Sequence, residues 1–278
     1  MLKKLIFGAL GLIVLVVGII LVRTFSYGGD PVGQRVELPD TPAISAESAA
    51  QHLSEIIQFK TVTLSGGDPR PGQDGEWLAL HDWLSETYPA AHAAMTREIV
   101  PGTLTLLYTW QGSDPALKPI LLMAHQDVVP VNMGTESDWT GAPFAGEIID
   151  GYIYGRGAID DKGNLVGLME AADALAASGF QPKRTVLFMF GHDEEVLGSG
   201  AEAGIALLKS RGVEPEMALD EGFMIIDPSP LTGKPMGIIG ISEKGYVTVN
   251  VTAVAQGGHS STPPRNSANV NLARAILA

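Results

Sequence analysis

The sequence predicts an α/β fold, a mostly parallel sheet sandwiched by helices, with the start of an α+β unit behind it. Three observations carry that reading. Short, fully apolar runs at residues 119–124 and 185–190 have the character of buried strands. They alternate with segments of helical periodicity, the order expected of an α/β layer structure. From Gly245 to Ala255 the pattern changes: after Tyr246, the apolar residues Val247, Val249 and Val251 alternate with Thr248 and Asn250, as in a half-exposed antiparallel strand.

Element by element, residues 5–22 are uncharged and almost wholly aliphatic, with Lys3 and Lys4 before them and Arg23 after. As a helix this stretch would span roughly 27 Å, close to a hydrocarbon core. A cleaved signal peptide would have a shorter apolar core and a small-x-small site behind it, and Arg23-Thr24-Phe25-Ser26-Tyr27 is a poor one. The basic flanks and the lack of a polar face disfavour a buried core helix. The stretch therefore reads as an uncleaved anchor, with the N-terminus cytoplasmic and the body periplasmic or extracellular by the lysine excess before it. Residues 24–45, rich in Gly, Pro and Asp, read as a tether. Ser45 or Ser48 would cap a helix running through His52, Leu53, Ile56 and Ile57. After a loop at 65–72, a second helix covers 75–88 with Trp77, Leu80 and Leu84 on one face. Strands follow at 103–110 and 119–124, a helix at 165–177, a strand at 185–190, a helix at 202–210 and a short strand at 217–219. A new domain begins near Ile241-Ser242, and a last helix covers 269–277.

Charge and composition exclude several classes. The net charge is −13, and because the first 23 residues hold three basic side chains and no acid, the rest carries −16. Phosphate would be repelled from such a surface, so no nucleic-acid partner is expected. Cysteine is absent, leaving no disulfide framework and no thiolate site; any metal must be held by His, Asp and Glu.

In open α/β sheets the chemistry gathers beyond the carboxyl ends of the strands. The run at 119–124 ends in His125-Gln126-Asp127, where an acid two residues from a histidine can orient the ring of a metal ligand. A glycine-rich turn, Gly155-Arg156-Gly157, delivers Asp160-Asp161 before a helix; a helix cap would explain one acid of that pair. The run at 185–190 ends in Gly191-His192-Asp193-Glu194-Glu195. Three successive acids repel one another, no structural role suggests itself for them, and no Lys or Arg stands nearby in the sequence. Metal is the economical answer, with one Glu binding and its neighbour acting as general base toward the attacking water. A solvated acidic loop is the bland alternative. The strand at 217–219 ends in Asp220-Glu221, so three strand ends and the glycine-rich turn all carry His or carboxylates.

These segments, MAHQDVVP at 123–130, GRGAIDDKG at 155–163, GHDEE at 191–195, LDEG at 219–222 and GGHSSTPP at 257–264, resemble the metallopeptidase M20 family. The resemblance runs from about residue 46 to the end and is nearest to the carboxypeptidase S and N-acyl-amino-acid hydrolase branch. It implies a zinc-dependent catalytic domain at 46–242 and the start of an inserted lid and dimerisation domain at 243–278. By the same resemblance, two Zn²⁺ ions (Co²⁺ or Mn²⁺ being the substitutes) are held by His125, Asp160, Glu195 and either Asp220 or Glu221. Asp127 partners His125, the peptide after Asp160 is cis, and Glu194 is the general base. His259 grips the substrate carbonyl or carboxylate, often across a dimer. His192 supports the site without binding metal, while His52, His81 and His92 are ordinary helix or surface histidines. The implied substrate is a peptide or an N-acyl amino acid. Family members are longer and supply a further histidine near their C-terminus. No histidine follows His259 here, so the stretch is expected to be an N-terminal part, silent on its own. The rival readings are a membrane-anchored binding protein without activity, disfavoured by the Glu194-Glu195 pair, and a two-zinc aminopeptidase, disfavoured by Gly258-His259.

Overall fold

The computed structural model describes residues 2–26, 41–222, 225–242, 244–255, 257–259 and 261–277. Most of the expected tether, residues 27–40, lies outside the described residues. The chain forms two compact units, Met1–Asp220 and Glu221–Ala278.

The first unit opens with α1 (Leu2–Ser26). Among the described residues it is the one helix long and apolar enough to cross a membrane, from Ile6 to Ser26. Helix α2 (Ala46–Ile57) starts at Ser45, whose hydroxyl accepts the Ser48 N–H at 3.2 Å, so Ser45 is the cap. Then come α3 (Gly75–Thr87), α4 (Pro89–Ala94), β1 (Thr96–Ile99), β2 (Leu106–Trp110) and β3 (Ile120–His125). A small antiparallel hairpin of β4 (Glu147–Ile149) and β5 (Tyr152–Tyr154) precedes α5 (Lys162–Ala177). Strand β6 (Val186–Gly191), helix α6 (Ser199–Ser210) and β7 (Met217–Leu219) complete the unit.

The main sheet has the order β1-β2-β6-β3-β7. Strand β2 is antiparallel to both β1 and β6, whereas β3 is parallel to β6 and β7. Four of the five strands thus run one way and β2 alone is reversed, so the sheet is mixed. Alternation along the central strands sends side chains to two cores. Phe188 and Phe190 join Leu106 and Tyr108 beneath Ile56, Leu80, Leu84 and Leu165 of the helices α2, α3 and α5. Leu187 and Met189 face the other way, with Leu107, Leu121 and Leu208 of α6. That two-sided burial is the sandwich which the apolar runs predicted.

The second unit holds the β8–β9 hairpin (Ile225–Ile226 with Met236–Gly237) and α7 (Ala268–Leu277). The strand expected over 245–255 is not formed: among the described residues nothing pairs with it, and Tyr246, Val247 and Val249 are exposed. Alternation signals a strand's faces but does not supply the partner that makes it one.

Candidate metal centre

Three loops at the carboxyl ends of β3 and β6 and ahead of α5 build the site. Strand β3 ends at His125, buried and paired with Gly191 at the end of β6. The His125 ring donates Nδ1–H to the backbone carbonyl of Asp127 at 2.9 Å, with the Asp127 carboxylate at 3.3 Å from the same nitrogen. The nearer partner is therefore the carbonyl of Asp127 rather than its acid. This fixes the tautomer and leaves Nε2 as an acceptor. Nε2 faces Oδ1 of Asp160 at 2.9 Å and Oε2 of Glu194 at 4.0 Å. Two acceptors at 2.9 Å require a proton or a cation between them. Imidazole nitrogen with carboxylate oxygen is a donor set that suits zinc, so the residues present fit a metal ion.

The glycine-rich turn before α5 brings Asp160 there. Gly157 has φ +86°, and a Cβ on it would lie 2.7 Å from Cγ1 of Val128, so glycine is required for the turn to pack against the loop after β3. The Asp160–Asp161 peptide is cis, as the resemblance implies. The two acids then part. Asp160 is 62% exposed and meets His125, whereas Asp161 is buried and its Oδ2 accepts the backbone N–H of His125 at 3.1 Å.

The acids after β6 divide in the same way. Asp193 is fully buried and accepts the N–H groups of Ser199 (3.0 Å) and Gly200 (2.8 Å), together with the Ser199 hydroxyl. It thereby satisfies the first turn of α6 and is a structural acid, contrary to the expectation that none of the three would have such a role. Glu194 and Glu195 occupy a 3₁₀ turn, Glu194–Val196. Their backbone N–H groups donate to the Asp127 carboxylate at 2.9 and 3.2 Å. Burial, followed by repulsion from Asp160, raises the Glu195 carboxyl above the usual range. Burial would also raise Asp127, but hydrogen bonds from His125, Thr63 and Glu194 outweigh it and hold that carboxyl low.

Asp220 directly follows β7, whose Leu219 is level with Leu122 of β3, and so stands at the same sheet edge. Glu221 opens the second unit, and His259 also lies in that unit, where its Nδ1 accepts from the Ser261 hydroxyl at 2.8 Å. His192 is buried beside Thr105 (3.0 Å). His52 pairs with Glu170, His81 with Gln126 (2.7 Å) and His92 with the carbonyl of Tyr88 (2.8 Å).

Two residues escaped the sequence reading. Lys162, fully buried, donates its ammonium to the carbonyls of Ile56 (3.1 Å) and Phe59 (2.5 Å), and burial pushes its pKa down to about 7. It ties the end of α2 to the turn that carries Asp160. Its place in the Asp160-Asp161-Lys162-Gly163 string was the available signal. Thr63, whose hydroxyl reaches Asp127 at 2.7 Å, lies 64 positions away in the chain, and nothing local marks it.

Comparisons with known proteins bear on the family and the fold. Residues 121–278 match peptidase family M20/M25/M40. The chain is 39% identical over 228 residues to carboxypeptidase S of Saccharomyces cerevisiae, covering 78% of this chain and 38% of that protein. It is 44% identical over 229 residues to the human N-fatty-acyl-amino acid synthase/hydrolase PM20D1, covering 81% and 44%. The chain thus spans less than half the length of these two relatives. A crystal structure of an M20 family metallo-carboxypeptidase from Sulfolobus solfataricus superimposes with a TM-score of 0.51 at 24% identity, over 65% of this chain and 38% of that one, a likeness of fold alone.

Proposed function

Because the chain belongs to peptidase family M20/M25/M40, we propose that it is the metal-binding part of a hydrolase which cleaves a C-terminal peptide bond or the amide of an N-acyl amino acid. The observation that carries this reading is the approach of His125 Nε2 to Asp160 at 2.9 Å, with Nδ1 already committed to Asp127. His125, Asp160, Glu195 and one of Asp220 and Glu221 would hold two zinc ions. Bound zinc would supply Lewis-acid polarisation of the scissile carbonyl and acidify water. Asp127 sets the ring orientation and the Glu194–Glu195 turn. Glu194, more than half exposed beside His125, takes the proton of the attacking water and returns it to the leaving amine. His259 would hold the substrate's carbonyl or carboxylate from the lid segment 243–278, through which two copies would also pair.

The test is metal analysis with hydrolysis of an N-acyl amino acid and a blocked dipeptide. Full-length protein should contain about two metal ions per chain, lose turnover with a chelator and regain it with zinc. Active protein devoid of metal would overturn the reading. We also propose that α1 anchors the protein, with the body outside the cytoplasm. Sedimentation with membranes that survives high salt supports an anchor. A soluble mature form beginning after residue 23 would contradict it.

A further inference from the structure

We infer that Thr63 is a positioning residue for the Glu194–Glu195 turn, acting through Asp127. The Asp127 carboxylate is fully buried and accepts on both oxygens. Oδ1 takes the Glu194 N–H (2.9 Å) and lies 3.3 Å from His125 Nδ1, while Oδ2 takes the Glu195 N–H (3.2 Å) and the Thr63 hydroxyl (2.7 Å). The Thr63 bond is the shortest of these, and it comes from outside the three loops that build the site.

That element is well anchored. Val62 forms a parallel bridge with Val128, the Val128 N–H donates to the Thr61 carbonyl at 3.0 Å, and the Thr63 N–H donates to the Val128 carbonyl at 3.2 Å. The Thr61 hydroxyl donates to the backbone carbonyl of Gln126 at 2.6 Å. Residues 61–63 therefore lie as a short staple along 126–128, and both threonines are buried. Their hydroxyls differ in target. Thr61 reaches a backbone carbonyl, whereas Thr63 reaches the carboxylate that organises the turn. Without the Thr63 hydroxyl, Oδ2 would keep one backbone partner, and Asp127 could rotate about its side-chain torsions. The turn that carries the base and a ligand would then loosen, with no change to the charge or the composition of the site.

The experiment compares Thr63→Val, Thr63→Ser and Thr61→Val in the full chain. Hydrogen exchange of the peptide spanning residues 192–197, measured on metal-free protein, needs neither metal nor substrate and so stands apart from the proposed hydrolysis. Thr63→Val should exchange about tenfold faster there, while Thr63→Ser and Thr61→Val stay near wild type. Zinc affinity, read by competition with a chromophoric chelator, should fall about 10- to 100-fold in Thr63→Val and be restored by serine. In the rate assay kcat should drop with KM nearly unchanged; that arm alone rests on the proposed activity. Unchanged exchange in Thr63→Val, equal loosening in Thr61→Val, or no rescue by serine would each overturn the inference. Thr63→Ala removes the same hydroxyl should the valine variant not fold.

Discussion

Asp161 holds the backbone N–H of His125 at 3.1 Å, while its neighbour Asp160 meets the far nitrogen of the same histidine at 2.9 Å. Two adjacent acids thus grip one residue from behind and in front. The pattern recurs after β6, where Asp193 turns inward to the start of α6 and Glu194 turns out to the site. Inward acids hold backbone, and outward acids offer chemistry. A carboxylate that accepts backbone N–H groups is stabilised without a nearby cation, which explains how so many acids can stand together.

Asp161→Ala should therefore weaken the centre without removing a proposed ligand. A buried N–H left without its acceptor costs about 1–3 kcal/mol. Denaturant unfolding of the metal-free protein should show a loss of that order. Asp161→Asn should lose less, because the amide oxygen can still accept. Equal losses in both variants would mean that charge, rather than this hydrogen bond, is what the site needs from Asp161.

Stability should fall as the metal-free protein is acidified below neutrality. Burial lowers the pKa of His81 and of His192, so each resists protonation in the folded state. The unfolded chain then binds more protons, and stability falls with pH from about the ordinary histidine value of 6.5 downward. Glu195, with its carboxyl raised, acts with the opposite sign, since its burial penalises the charged form above the ordinary glutamate value. Urea midpoints at pH 7.5, 6.5 and 5.5 should decline in that order, and His81→Gln should flatten the slope. An unchanged slope in His81→Gln would show that His81 is not held neutral.

Much of the scaffold was legible because buried strands declare themselves by composition. Strands β3 and β6 fall within a residue or so of the apolar runs at 119–124 and 185–190. Strand β1 was missed: it reads Thr-Arg-Glu-Ile and lies largely exposed at the sheet edge. The β4–β5 strands, three residues each, are too short to show a period. The reversal of β2 is likewise invisible in a run of apolar residues, since direction is set by connections rather than by side chains. At the site, His125 and the acid pairs at 160–161 and 194–195 could be read from their places at element ends, whereas singling out Asp160 and Glu194 rested on the family resemblance. The inward roles of Asp161 and Asp193 could not, because backbone geometry decides which of two neighbouring acids turns in. Thr63 was illegible for a different reason, as its partner lies far along the chain.

The two glutamates of the 3₁₀ turn should separate rate from metal binding. Glu194 approaches His125, and Glu195 feels the charges of Asp160 and His125, but their surroundings differ. Glu194 is more than half exposed with Oε2 at 4.0 Å from His125 Nε2, a position from which it can exchange a proton with water and substrate. Glu195 is half-buried, and Asp160 repels it, so its charged form is disfavoured until a cation offsets both effects. Glu194→Gln removes a proton acceptor but keeps the shape, because an amide cannot take the proton of the attacking water. Zinc content and affinity should stay near wild type while kcat falls about 10²- to 10⁴-fold. Glu195→Gln removes a negative charge from the proposed ligand set, so zinc affinity should fall first, with turnover partly restored by excess metal. Calorimetric zinc titration of both variants, beside steady-state rates in the full-length protein, separates the roles. If Glu194→Gln loses zinc while Glu195→Gln keeps it, the two assignments must be exchanged. If neither variant changes zinc binding or rate, the turn is not part of the centre, and the convergence of Asp160 and Glu194 on His125 would need another explanation.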